Sequence, residues 1–171
     1  MQIYYDVPLV AQSSALSANP ICWVASMAMV ESFLTGSSVG IGKYTGGFDP
    51  SNSSIANPVP GAVQGPMQAY SFYPVDSDQP VTLGNILTLL DQYGPLIYFH
   101  TVTNGLPWTN SPGTSGGHAV VIEGADDSIG GGCIWVNNPW GSKDISITAS
   151  ALLPAAATPG SCRTSFSYGW F

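Results

Sequence analysis

The sequence predicts an α+β fold, with helices in the first half of the chain and an antiparallel sheet in the second. Three observations carry this. Residues 20–35 form an apolar run of helical length bounded by helix start and stop signals. Leu83, Ile86, Leu87 and Leu90 recur at helical spacing between Thr82 and Gly94. From Pro95 onward the character changes to short apolar and β-branched runs separated by Gly, Asp and Asn, with no further long helical pattern.

In chain order, Ile3 to Val10 predicts a short edge strand, because Pro8 cannot donate to a ladder. A polar loop containing Gln12 follows. The first helix starts with Asn19 as N-cap and Pro20 at the first helical position, and Gly36 stops it. Residues 36–66 are Gly, Ser, Asn and Pro without periodicity and predict a long surface loop, with a short helix within 61–72. Thr82 caps the second helix and Gly94 ends it. Strands are predicted at 95–100, 118–123 and 133–137, with a turn over 126–132. Two more are predicted at 143–148 and 163–170, with a short helical piece near 149–153. The 171 residues suit one domain, with a helical lobe over about 12–93 and a sheet lobe over about 95–171 that includes the N-terminal strand.

Composition excludes several classes. Hydrophobic residues make up 44% and charged residues 8%, enough apolar material for a core and too little charge for a disordered chain. The net charge is −7 and the basic residues number three, so no basic patch can form for nucleic acid or an anionic membrane. No apolar run approaches the roughly 20 residues that span a bilayer. The first residues lack the basic and apolar regions of a signal peptide. The chain is expected to be exported without one, or to be a mature form, and its Ser/Thr/Gly-rich, Lys-poor composition points outside the cell.

The candidate chemistry begins at Cys22, in the first turn of the first helix. Free N–H groups and the positive end of the helix dipole favour a negative charge there. An ordinary thiol has a pKa near ~8.5, and a helix N-terminus with a cationic neighbour brings it to roughly 3.5–7.5. Cys22 is therefore expected to be a thiolate nucleophile, the alternative being a small buried hydrophobe. Such a nucleophile needs a base, a group that orients the base, and donors for the oxyanion. Of the two histidines, His118 opens a strand after Ser115-Gly116-Gly117 and is the preferred base over His100, which ends a strand among apolar residues. If the strands at 118–123 and 133–137 form a hairpin, Asn137-Asn138-Pro139-Trp140-Gly141 returns beside His118. An Asn there fixes an imidazole without adding charge. With two separated histidines and no close Cys pair, no metal site is expected.

Together, Cys22-Trp23 at a helix start, Gly117-His118-Ala119-Val120-Val121 on a strand and Asn138-Pro139-Trp140-Gly141 after the next resemble the active-site blocks of papain-like cysteine peptidases. The opening Val7-Pro8-Leu9-Val10-Ala11-Gln12 and the helix from Cys22 to Val30 are most similar to the small bacterial branch. That branch includes plant-pathogen effector peptidases and domains related to bacteriocin-leader peptidases. The resemblance implies a papain-like fold, a helical lobe packed on an antiparallel half-barrel. It implies a thiol peptidase that hydrolyses peptide or amide bonds through an acyl-enzyme, with no cofactor. Cys22 is then the nucleophile, His118 the general base and acid, and Asn138 the orienting residue, while Trp140 shields the His118–Asn138 bond. Gln12 and the Cys22 backbone N–H form the oxyanion hole, with Asn19 the nearest alternative donor. Asn138 is chosen over Asn137 because it directly precedes Pro-Trp-Gly. Peptidoglycan amide cleavage, acyl transfer with the same residues, and an inactive binding module are the competing readings. The implied partners are a peptide or protein substrate and a proteinaceous inhibitor or immunity protein, with no nucleic acid or membrane. The two remaining cysteines, Cys133 and Cys162, are expected to form a disulfide, as suits an oxidising compartment.

Overall fold

The computed structural model describes residues 1–12, 21–45, 65–76, 82–101, 117–153 and 165–168. Its strands are β1 (Gln2–Tyr4), β2 (Phe72–Asp76), β3 (Leu96–Thr101), β4 (Gly117–Asp126), β5 (Cys133–Asn138), β6 (Ser142–Thr148) and β7 (Ser165–Tyr168). Its helices are α1 (Cys22–Thr35), α2 (Gly42–Thr45), α3 (Leu83–Tyr93) and α4 (Ala149–Leu152), with a helical turn at residues 65–68.

The seven described strands form one antiparallel sheet, six of them in the order β2-β7-β3-β4-β5-β6 and β1 off this path beside β4. The predicted hairpin exists: β4 pairs with β5, and Val121 lies opposite Asn137. β1 pairs with the far end of β4, Gln2 to Asp126 and Tyr4 to Gly124. β3 pairs with β4 up to Ile122. Because β5 holds the other edge of β4, β1 extends the edge that β3 leaves open.

Strand alternation gives the sheet two apolar faces. Ile97, Phe99, Ala119 and Val121 face α1. Tyr98, Val120, Ile122, Ile134 and Val136 pack with Ile86, Leu87 and Leu90 of α3. Every α1 residue from Cys22 to Ser32 is buried, as a helix that is apolar all round must be. The charged exception, Glu31, is ion-paired with Lys43 and accepts from the Tyr44 hydroxyl, which ties α2 to α1. Gly36 ends α1 at φ 63°, a left-handed conformation that suits glycine. α3 begins as predicted, with the Asn85 N–H donating to Thr82 Oγ1 at 3.2 Å.

Several expectations change. The N-terminal strand stops at Tyr4 rather than Val10, because the Val7 N–H turns back to the Tyr5 carbonyl at 3.0 Å and the chain leaves the ladder. α1 starts at Cys22, and Ile21 occupies the N-cap position without a side-chain bond. Asn19 and Pro20 lie outside the described residues. The expected long loop is interrupted by α2. β2 was not expected, since Pro74 weakens its strand pattern, and it is held by pairing with β7. β2 joins the sheet through β7, and α3 packs on the face of the sheet away from α1. Cys133 is buried, its Sγ 3.0 Å from Ser146 Oγ, and the expected Cys133–Cys162 disulfide falls on a residue that is not described. Cys162 lies outside the described residues.

Candidate active site

The start of α1 meets the start of β4. α1 packs on the sheet through Ala119 and Val121, and the backbone N–H groups of Ala119, Trp23 and Cys22 all favour negative charge on the Cys22 sulfur. The contact with Ala119 places Cys22 beside the residue that follows His118. His118 is buried as the second residue of β4, and its Nε2 lies 2.9 Å from Asn138 Oδ1.

The orientation of Asn138 is fixed independently. The Trp140 backbone N–H donates to the same Oδ1 at 3.1 Å, and since an N–H cannot accept, that atom must be the oxygen. Nε2 of His118 therefore carries the proton, and Nδ1 keeps a lone pair. The Trp140 ring stacks on His118 with centroids 4.2 Å apart. His100 sits opposite His118 across the β3–β4 ladder, its ring 5.7 Å away and edge-on. Gln12 also comes to this place: its backbone N–H donates to the Pro139 carbonyl at 2.6 Å, between Asn138 and Trp140. Gln12 of the N-terminal segment, Cys22 of α1, His118 of β4, and Asn138 and Trp140 at the end of β5 are thus gathered at one locus from four parts of the chain.

The electrostatics differ from the expected thiolate. Burial pushes the Cys22 thiol up to about 11, against the smaller opposing effect of the three backbone N–H groups. Burial also pushes His118 down to about 3, with His100 acting in the same direction and the Asn138 bond opposing it. Desolvation outweighs the helix terminus here because Cys22 is 1% exposed and His118 2%. Burial thus favours the uncharged form of each group.

One cluster beside the site was not singled out from the sequence. Asn137 Nδ2 donates to Glu123 Oε2 at 2.8 Å and to the Val7 carbonyl at 2.9 Å, and Asn137 Oδ1 accepts from the Asp144 N–H at 2.8 Å. A glutamate interrupting the apolar strand Ala119-Val-Val-Ile122 was the signal that could have revealed it. Among the described residues no group of three or more His, Cys, Asp or Glu is arranged to hold a metal ion, and no helix is long and apolar enough to cross a membrane.

A cysteine at a helix start, lying against the strand that carries a histidine bonded to an asparagine on the next strand, is the arrangement of papain-like cysteine peptidases. Within that class, residues 1–152 match the peptidase C70 family, described as papain-like cysteine protease AvrRpt2, and the chain belongs to that family. A crystal structure from Bacillus anthracis, assigned as a C39-like peptidase, superposes with a TM-score of 0.60 over 100% of this chain and 98% of that one. At 12% identity this likeness speaks for the fold alone. No curated protein matches the sequence.

Proposed function

We propose that this cysteine peptidase hydrolyses peptide bonds through a Cys22–His118–Asn138 triad and an acyl-enzyme. The observation that carries the reading is the double hold on Asn138 Oδ1, by His118 Nε2 and the Trp140 N–H, which leaves His118 Nδ1 as the acceptor. Burial disfavours a resting thiolate, so the thiol proton passes to Nδ1 as the sulfur attacks the carbonyl carbon. The C–N bond then breaks, His118 returns the proton to the leaving amine, and the acyl group remains on sulfur as a thioester. Water, deprotonated by the same Nδ1, releases the acid and restores the thiol.

The developing oxyanion is assigned to the Cys22 backbone N–H and the side-chain amide of Gln12. One such donor typically lowers the barrier by about 2.7–4 kcal/mol. The Gln12 N–H to Pro139 contact supports this role, because it ties the Gln12 segment to the turn that carries Asn138. Trp140 covers the His118–Asn138 bond and keeps water from competing for it. The substrate is read as a peptide or protein.

Cleavage of an unbiased peptide library, with a peptidoglycan digest run in parallel, tests the reading. New peptide termini produced by the native protein and absent with Cys22→Ala are expected. Release of peptidoglycan stem peptides with an intact peptide library would replace peptidase with amidase.

A further inference from the structure

We propose that Glu123 and Asn137 are positioning residues, a buried clasp that holds the Gln12 segment and the Asn138 end of β5 in the geometry the reaction needs. The inference rests on the triad reading above and extends it to residues that do not touch substrate.

The clasp sits where two irregularities of the sheet meet. The β4–β5 register shifts between Ile122 and Gly124, leaving Glu123 as the extra residue. The β5–β6 register shifts between Val136 and Asn138, so Asn137 faces two residues of β6. One of these, Asp144, has φ 56°, a strained value for a residue with a side chain. Bulges of this kind bend a strand and re-aim its side chains. Here they turn Glu123 and Asn137 towards each other, one residue before Asn138.

Every hydrogen bond of Asn137 joins a different segment. Nδ2 holds Glu123 of β4 and the Val7 carbonyl, and Oδ1 holds the Asp144 N–H of β6. The Val7 N–H donates to Glu123 Oε2 at 3.3 Å. Val7 begins the segment that reaches Pro139 through Gln12. The N-terminal segment is therefore fixed to β5 on both sides of Asn138, by Asn137 before it and Pro139 after it.

Glu123 is fully buried, and its two oxygens are unequal. Oε2 takes both donors, and the Asp144 side chain is a further hydrogen-bond partner of the carboxyl, which a proton on Glu123 would serve. The carboxyl of Asp144 lies beside Glu123 and accepts from the Tyr4 hydroxyl at 2.8 Å. Lys143, also on β6, is 3.7 Å from Asp144 and is ion-paired with Asp6. Asp144, Lys143, Tyr4 and Asp6 are the charged and titratable groups around the clasp. A proton on Oε1 relieves the repulsion between the two carboxyls. Burial first, and Asp144 second, push Glu123 up to about 8, so it is protonated at neutral pH. Ionisation above that value sets two carboxylates against each other and loosens the clasp. Burial moves the two catalytic groups in opposite directions, His118 down and Cys22 up, and the Glu123→Gln comparison separates their titration from that of Glu123.

The full chain with Glu123→Gln, Glu123→Ala and Asn137→Ala tests this. Gln mimics the protonated acid: its oxygen accepts from Asn137 and Val7, its amide donates to Asp144, and it cannot ionise. The native kcat/KM is expected to fall above about pH 8 by up to tenfold per unit, the slope of one ionisation. Glu123→Gln is expected to keep neutral-pH activity and lose that alkaline fall, while Asn137→Ala loses kcat at every pH. The melting midpoint of the native protein is expected to drop as pH rises from about 6.5 to 8, and that of Glu123→Gln to stay level over the same range. An alkaline fall identical in native and Glu123→Gln protein overturns the positioning role, even if the melting curves separate. If the native protein turns over no peptide, the triad reading fails. The melting comparison then decides the clasp alone, and parallel slopes overturn it.

Discussion

At the scale of single residues, the site is governed by burial more than by formal charge. Cys22 stands at a helix start, and yet its thiol lies above the ordinary range, because desolvation of a sulfur that is 1% exposed outweighs the N–H groups around it. Alkylation of Cys22 by a small neutral reagent is therefore expected to stay slow from pH 6 to 8 and to accelerate only towards pH 11. A rate plateau across neutral pH would indicate a thiolate–imidazolium pair instead. Asn138→Ala is expected to lower kcat by less than the roughly 10²–10⁴-fold that a general base contributes, since His118 stays in place but loses its fixed tautomer. Gln12→Ala is expected to cost roughly 10²–10³-fold in kcat, and steady-state kinetics on a cleaved library peptide measures both. The positions of Cys22, His118 and Asn138 were legible because each sits in a short pattern with a chemical reason. Their burial was not, because a helix-start cysteine reads the same in sequence whether it is open to solvent or covered. Asn137 was passed over for a related reason: its partners Val7, Glu123 and Asp144 are far apart in sequence and meet only through the sheet.

At the scale of elements, the helices and central strands were legible from local signals. Thr82 at its N-cap, Gly94 after Tyr93 and the leucine spacing between them define α3 without tertiary knowledge. β2 and the true extent of β1 depend on partners instead, Tyr168 and Ser167 for β2 and Gly124 to Asp126 for β1. Gly124 marks one such dependence. A Cβ there would stand 2.6 Å from the Ile3 carbonyl oxygen and 3.0 Å from Tyr4 Cα, too close for backbone atoms. Gly124→Ala is expected to push β1 off β4 and destabilise the protein by roughly 1–3 kcal/mol, the usual cost of overpacking. Urea denaturation measures it, and a midpoint equal to the native one would mean that β1 yields freely. Because β1 leads to Val7 and Gln12, the same variant is expected to lose activity at urea concentrations where it remains folded.

At the scale of the whole molecule, two buried groups of opposite sign shape stability against pH. His118 is depressed from 6.5 to about 3, so unfolding takes up a proton between those values and stability falls as pH drops through them. Glu123 is raised from 4.5 to about 8, so unfolding releases a proton in that window and stability falls as pH rises through it. Between about 4.5 and 6.5 the two slopes cancel, and a plateau of melting midpoint is expected there, with losses on both sides. Calorimetric scans from pH 3 to 9 check this, and a maximum near pH 8 would contradict it. The same sheet that buries these groups joins the N-terminal segment, α1, β4 and β5, which is how residues from Gln12 to Trp140 come to share one site. The central claim, attack by Cys22 with His118 as base, is tested most directly by trapping the intermediate. A cleavable peptide ester is mixed with the protein, quenched in acid, and the intact mass and modified residue are read. The account predicts an adduct equal to the acyl portion, mapped to Cys22, absent in Cys22→Ala and slow to form in His118→Ala. Turnover of the same ester by Cys22→Ala at the native rate, with no adduct on Cys22 in the native protein, would contradict it.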